Sequence, residues 1–513
     1  MKSKRQFLYN GLLLALVSLL MRTVAVSFNV YVSNLVGAEA MGLLALIGGV
    51  YGFAVTLATS GIHLATVRTI SARLEQTGGA ENGKCLRACL RYAAFFGTLA
   101  TILLFALARP LSAFVLKDMR TARALYLLSF TLLPIALTSV LNGYFVAVRR
   151  AWKNAVSQIS EQSVKILLTG YLLVFLAPKS VEGCVLAILC GGAVAEVFSL
   201  IFNLILFVLD KRRFHGVSPA KSGFAPRVAD IALPVAISAY ARSGLLAIEH
   251  ILIPRGLLSY GAGGTEALSA YGALQSMALP VVLYPAAVMT AFAGLLIPEV
   301  TEQQSANNRT QIRYIARRVY QLTLLFSIGT AAIMLSLSGA LGEALYHSSE
   351  VSRYIRFLAP LIPIMYLDTA TDALLKGLGE QVYSMRVNIL DALVSVLCVA
   401  VLVPQTGIMG YLLTIYITEI LNAALSVTRL LRVSGFSPRF AELLLRPLLC
   451  AVGGVCALRL VLNVLPFAAP LPILVLLAVF FYVLFLTLTG SFGKSERKWL
   501  RNFITSKEEK TEK

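Results

Sequence analysis

Charge is what this sequence lacks most. Asp, Glu, Lys and Arg together make up 14% of 513 residues, against 58% hydrophobic. A soluble chain carries about 25% charge, so much of the surface that such a chain would turn to water is missing. Histidine is scarce, with four residues. The seven cysteines (Cys85, Cys89, Cys184, Cys190, Cys398, Cys450 and Cys456) sit mostly inside or beside apolar runs, and none forms a C-x-x-C pair. That argues against a zinc ribbon or disulfide scaffold and leaves cysteine as a small apolar residue. No G-x-x-x-x-G-K-[ST] loop, H-E-x-x-H helix or nucleophile elbow is present, which speaks against ATP hydrolysis, zinc-protease and serine-hydrolase chemistry. The expectation is a protein that is not an enzyme and holds no cofactor or metal, with any uphill work driven by a Na⁺ or H⁺ gradient or by the membrane potential.

What the sequence has is apolar runs, each long enough to cross a hydrocarbon core about 30 Å thick. Fourteen such runs are expected: 7–35, 41–67, 86–109, 122–148, 154–178, 183–209, 228–254, 268–299, 311–338, 353–375, 384–404, 408–431, 439–463 and 470–490. The fold class is therefore all-α, a polytopic membrane protein. The first run is too long for a signal-peptide core and no A-x-A site follows it, so it reads as a retained span. The formal charge of +20 would suggest nucleic acid if it were spread over a surface, but it is sorted. About 33 of the 45 Lys and Arg fall in alternate loops and at the termini, and about nine in the opposite loops. This positive-inside pattern predicts a multi-pass protein of the cytoplasmic membrane with both termini in the cytoplasm, and no nucleic-acid partner. Arg109, Lys117, Arg120 and Arg123 fall on the wrong side of that pattern.

The chain also resembles itself. LLPIALTSVLNGYFVAV (132–148) aligns with LIPIMYLDTATDALLKG (361–377). At a nearby offset Gln158-Ile159-x-Glu161 falls opposite Asn388-Ile389-x-Asp391, Gly42 opposite Gly272, Arg87 opposite Arg317, and Glu196 opposite Glu419. Two parallel six-span halves are expected: an N-lobe at 1–210 and a C-lobe at 228–431, joined by a linker at 211–227. Two further spans follow within 432–490, and then a basic tail at 491–513.

An ionisable residue in mid-bilayer costs at least about 2.5–3.5 kcal/mol, so each needs a reason. Arg22 and Arg242 occupy corresponding mid-span positions in the two halves, and Asn29 and Glu249 follow seven residues later on the same helical faces. Guanidinium stays charged at any working pH and offers phosphate a bidentate fork, so two such arginines suit a phosphate or pyrophosphate ligand. The alternative is internal pairing, with Glu249 or Glu196 neutralising an arginine. Glu196 and Glu419 complete the candidate cavity residues. Asn388, Asp391 and Asp368 form a candidate cation site, because hard cations take oxygen ligands; snorkelling of Asp372 and Asp391 to the interface is the alternative. Glu161 and Lys165 read as an i,i+4 helix pair. Pro280 and Pro285 in the eighth span, and Gly48, Gly49, Gly52 and Gly61 in the second, bend or loosen helices.

Four segments carry a family resemblance: GAEAMGLLALIGGVYGFAVTLATSGI (37–62), AVRRAWKNAVSQISEQSVKILL (147–168), YGALQSMALPVVLYPAAVMTAFAGLLIPEVTE (271–302) and LKGLGEQVYSMRVNILDA (375–392). They resemble the stage V sporulation protein B group, in the polysaccharide transporter branch of the multidrug/oligosaccharidyl-lipid/polysaccharide exporter superfamily. The resemblance covers about residues 5 to 435. It implies two lobes working by alternating access around a central cavity, in a chain functional as a monomer. The implied cargo is a lipid-linked (undecaprenyl-pyrophosphate-type) oligosaccharide such as a peptidoglycan or spore-cortex precursor, with membrane lipids and cell-wall synthases as further partners. By analogy with lipid II flippases, Arg22 and Arg242 would engage the pyrophosphate. Two other readings stay open: a cation-coupled multidrug exporter of the same superfamily, and a membrane-embedded glycosyl ligase or polymerase, against which the short external loops argue.

Overall fold

A backbone N–H or C=O inside a bilayer has no water to bond, so a spanning chain satisfies its own hydrogen bonds as helix. The computed structural model describes residues 2–77, 82–175, 180–211, 228–436, 440–464 and 470–490; residues 212–227 of the expected linker and the basic tail lie outside them. The described residues form helices and turns, with no strand among them. In chain order these are α1 Lys2–Thr59, α2 Ile62–Thr77, α3 Asn82–Pro110, α4 Arg120–Ser129, α5 Leu132–Ala147, α6 Ala151–Phe175, α7 Val181–Lys211, α8 Val228–Tyr260 and α9 Gly264–Gly272. They continue as α10 Leu279–Leu283, α11 Ala286–Ser305, α12 Arg309–Tyr346, α13 Ser349–Leu358, α14 Ile362–Gly377, α15 Gln381–Thr406, α16 Ile408–Ser434, α17 Phe440–Val464 and α18 Leu471–Leu488.

Ten helical stretches among the described residues are long and apolar enough to cross a bilayer, or eleven with α4 and α5, bent by 41°, as one span. One of the ten, residues 19–72, is 54 residues long, which at about 1.5 Å per residue is room for two crossings. It breaks inside α1 at Gly37, whose φ of 83° suits glycine. With α6 and the broken segment α9–α11, the architecture is consistent with fourteen crossings. That broken segment has a π-helical stretch at Ala273–Ala278, Pro280 in the first turn of α10 and Pro285 capping α11. Each interrupts the i→i−4 ladder.

The chain packs as two compact units: residues 1–34, 273–391 and 412–513, and residues 35–272 and 392–411. Packing thus partitions the chain along different lines from the internal repeat, because residues 1–34 pack with the unit that holds α10–α14. In that first unit, α12 is the central pillar. Its Tyr320, fully buried, bonds Thr371 of α14 at 2.9 Å and stacks edge-on against Phe436. One turn further on, Tyr482 of α18 donates to the Leu325 carbonyl at 2.7 Å and lies against Gly329, where a Cβ would come within 2.2 Å of its ring. The last two spans are built onto α12 in this way.

In the second unit, Gly42 on α1 and Gly272 at the end of α9 meet backbone to backbone. A Cβ on Gly42 would lie 1.9 Å from the Leu268 carbonyl oxygen, and one on Gly272 would lie 2.1 Å from that of Ala38. The pair that the internal alignment sets opposite one another is thus a helix crossing that admits no side chain.

The basic residues at helix ends are partly consumed by packing. Arg120 bonds Asp118 at 2.7 Å and Glu39 at 2.8 Å, and Arg123 reaches Glu182 at 3.5 Å. Arg255 donates to the carbonyls of Phe114 and Val115. Two of the arginines that fit the charge-sorting rule poorly, Arg120 and Arg123, thus have local carboxylate partners. At the other end of this unit, Asp210 closing α7 is 2% exposed and binds Lys153 at 2.8 Å and also Arg150. Lys153 is itself buried and lies over the Phe145 ring.

Removing Asp210 strands a buried ammonium. Asp210→Ala is expected to cost about 3–5 kcal/mol, read as a lowered melting temperature of the detergent-solubilised protein. The double variant Asp210→Leu/Lys153→Met should recover most of that loss. Equal destabilisation by the single and double changes would contradict the ion-pair account.

Candidate functional site

Polar side chains gather at three places within the spans. The first is around Arg22. Its exposed guanidinium donates to the Leu283 carbonyl at 3.1 Å, just where α10 ends before Pro285. The neighbouring Thr23 bonds the Tyr284 hydroxyl at 2.9 Å. Asn29, half-buried two turns further on, accepts from Ser33 at 3.3 Å. Among the described residues Arg22 makes no ion pair, and neither does Arg242, exposed on α8 in the other packing unit. Among the described residues neither Glu249 nor Glu196 lies in a salt bridge with them.

Glu249 takes a different position. It is 9% exposed, within electrostatic range of the buried Tyr271 and Tyr411. The adjacent His250 bonds the Tyr271 hydroxyl at 2.5 Å. Asn29 and Glu249, each seven residues after its arginine, therefore differ in setting: one half-buried beside Ser33, the other buried within electrostatic range of two tyrosines.

The second gathering is between α6 and α7. Glu196 of α7 lies within electrostatic range of Glu161 and Lys165 of α6 and of Tyr51, whose hydroxyl bonds Thr131 at 2.6 Å. Glu161 and Lys165 do not close an ion pair with each other within 4.0 Å among the described residues; the simple helix pair expected from their spacing does not form. Lys165 instead extends toward α7, its Cε 4.0 Å from the position a Cβ on Gly192 would take.

The third gathering holds the most acid. Asp368 on α14, Asp391 on α15 and Glu419 on α16 lie within electrostatic range of one another. Asn422, one turn after Glu419, donates to Asp368 Oδ2 at 3.2 Å and accepts from Ser426 at 3.4 Å. Asp368 Oδ1 is buried without a hydrogen-bond partner. Asp372 is already occupied by Lys376 at 2.5 Å and by Ser384, so it does not snorkel free. Asn388 donates to the Ser384 carbonyl at 2.8 Å, which leaves its amide oxygen as an acceptor. Among the described residues no three His, Cys, Asp or Glu side chains converge tightly enough to hold a metal ion by themselves. Any cation here would need amide, hydroxyl or carbonyl oxygens besides the carboxylates.

The acids recur in the same pairing. Glu161 with Glu196 in one unit matches Asp391 with Glu419 in the other, at the positions that the internal alignment equates. Tyr284, Asn422 and Ser426 are the residues that sequence reading missed. Two of them carried a signal, since Glu419-Asn422-Ser426 is a polar stripe at i, i+3, i+7 along one face of α16.

The fold agrees with what similarity indicates. Residues 7–298, more than half of the chain, match the family described as polysaccharide biosynthesis protein, and the chain belongs to that family. Residues 257–402 also match the MatE family. Stage V sporulation protein B of Bacillus subtilis (strain 168) is 23% identical over 447 residues, 86% of each chain. Sporulation protein YkvU of the same strain is 25% identical over 257 residues, 48% of this chain and 56% of its own length. Among solved structures, the lipid II flippase MurJ in its inward closed conformation superposes with a TM-score of 0.70 at 14% identity, covering 95% of this chain and 100% of that one. An inward-facing MATE multidrug transporter of the MOP superfamily gives 0.64 at 15% identity, covering 83% and 100%. At such identities the structural likeness is one of fold, that of a multi-pass helical membrane protein.

Proposed function

We propose that this protein is a flippase that carries a lipid-linked saccharide of the undecaprenyl-pyrophosphate type from the cytoplasmic to the outer leaflet by alternating access, with both termini in the cytoplasm. The observation that carries the reading is the pair Arg22 and Arg242, exposed in mid-span and without an ion pair among the described residues. An uncompensated guanidinium in a span is costly, and an anionic head group that comes and goes explains why such a charge is kept. On this reading a guanidinium bonds phosphate oxygens of the cargo, and the lipid tail stays in hydrocarbon. The family, the stage V sporulation protein B relative and the MurJ fold support this cargo class, and a peptidoglycan or spore-cortex precursor is the particular cargo we favour.

Energy enters, on this reading, through the acids of α14–α16. Asp368, Asp391 and Glu419 crowd together with one buried carboxylate oxygen unbonded, and three neighbouring carboxylates need positive charge. A Na⁺ bound by Asp368, Asp391 and the amide oxygen of Asn388 supplies it. The MatE match over residues 257–402 and this same acid cluster favour one alternative, cation-coupled export of a drug-like solute.

Two measurements separate these readings. In proteoliposomes with fluorescent lipid II, Arg22→Ala and Arg242→Ala should each slow translocation about tenfold or more, the worth of a lost charge-assisted bond, with membrane insertion unchanged. Wild-type rates from both variants would sink the pyrophosphate role, and dye export without lipid movement would favour the drug exporter. For the cation, Na⁺ in place of choline should raise the melting temperature of the wild type through preferential binding to the folded state. Asp391→Asn should lose that increment. A Na⁺ effect of equal size in the variant would remove these oxygens from the coupling site.

A further inference from the structure

Away from the acids and the mid-span arginines, the unit of residues 35–272 contains a cavity of about 390 Å³, within the roughly 300–1,000 Å³ of small-molecule sites. Its walls come from three helices. Leu90 and Ala94 come from α3, Leu137 and Leu141 from α5, and Leu200 and Leu204 from α7. Arg87 and Arg91, one helical turn apart on α3, also border it, lining it mainly with the apolar stems of their side chains. Both are exposed, and among the described residues neither makes an ion pair. Arg87 uses Nε on the Gly83 carbonyl at 3.2 Å, so its terminal nitrogens point elsewhere than that bond.

The depth of this cavity fits a single leaflet. The span on α3 begins at Cys85, while α5 ends at Ala147 and the span on α7 ends at Asp210, so all three reach the same end of the unit. Leu141 and Leu137 lie six and ten residues before Ala147, and Leu204 and Leu200 lie six and ten before Asp210. At 1.5 Å per residue these are depths of about 9 and 15 Å, and half a hydrocarbon core is about 15 Å. By the same measure Arg87 starts about 3 Å inside Cys85, at head-group level, while Arg91 starts about 9 Å inside, level with Leu141 and Leu204. The long side chain of Arg91 leans toward the N-terminal, head-group end of α3, and Leu137 and Leu200 lie deeper. A purely apolar ligand would leave both charges unmatched. A free anion would leave the leucine walls empty.

We infer that this groove is a binding site for an anionic phospholipid: its phosphate is held in the forks of Arg87 and Arg91 and one acyl chain lies along Leu137, Leu141, Leu200 and Leu204. The chemistry is charge-assisted bonding of phosphate by guanidinium joined to burial of a chain against apolar side chains. The site is separate from the proposed cargo arginines and does not depend on the flippase reading. It predicts that the protein retains particular bilayer lipids on its surface, whatever it transports.

The test uses the full chain in detergent micelles, with native mass spectrometry of lipid adducts after addition of phosphatidylglycerol or phosphatidylcholine. Phosphatidylglycerol should bind the wild type with clear preference. Arg87→Ala/Arg91→Ala should weaken it about tenfold or more, in line with the worth of two basic side chains at a membrane surface. Leu200→Trp, which keeps both arginines and fills the groove, should weaken it as well. Arg87→Gln/Arg91→Gln serves if the alanine variant fails to insert, and each variant is compared at matched melting temperature. Equal binding of the two lipids, an unchanged affinity in the arginine variants, or an unchanged affinity in Leu200→Trp would each overturn the site. Displacement of the lipid by millimolar inorganic phosphate would show an anion site without a lipid groove and overturn it equally.

Discussion

Everything in this molecule follows from one constraint: a polar group inside the bilayer must find its partner within the chain. For the backbone this gives helices, and it explains where they break. Gly37 takes a left-handed turn between two crossings, and the eighth span divides at a π-helical stretch and two prolines. There Arg22 bonds the Leu283 carbonyl at the end of α10. A break in one span and a charge in another thus partly satisfy each other. The same constraint explains the crossing of Gly42 and Gly272: without a hydrophobic drive between helices in lipid, close backbone approach supplies the packing energy.

For side chains the constraint sorts charges into three kinds. Those at the helix ends are consumed by ion pairs, as with Arg120, Arg123 and the buried Asp210. Others are matched in opposite pairs, as with Arg429 and Glu380 at 2.8 Å, where the guanidinium also lies over the Tyr383 ring. Many other cations make no ion pair among the described residues, Arg22 and Arg242 in mid-span and Arg87 and Arg91 at a span's end among them.

Much of this was legible in the sequence, and the reason is periodicity. Apolar runs of bilayer length carry the span pattern. The internal alignment equated Gly42 with Gly272 and Glu196 with Glu419, because repeated halves keep their packing contacts as well as their hydropathy. Contacts between distant segments were not legible. Lys153 and Asp210 are 57 residues apart and no motif joins them, so those basic residues read as ordinary loop charge. The partners of Arg120 were hidden for the same reason. Nor does the alignment reveal that residues 1–34 pack with α10–α14, since a repeat records ancestry of segments and not which surfaces they bury. The groove under Arg87 and Arg91 needed three helix ends at once, which a one-dimensional pattern does not encode.

The recurring acid pairs show how the two halves have diverged. Glu161 and Glu196 share their site with Lys165, which supplies positive charge from within the chain. The offset of 230 residues that equates Glu161 with Asp391 sets Ser395 opposite Lys165, and Ser395 is buried and uncharged. The nearest lysine on α14, Lys376, is engaged with Asp372. Asp391 and Glu419 therefore keep the paired acids with no lysine at the aligned position, and Asp368, within electrostatic range of Lys376, adds a third. One half carries its cation covalently, as a lysine side chain. The other has the buried, uncharged Ser395 at the aligned position.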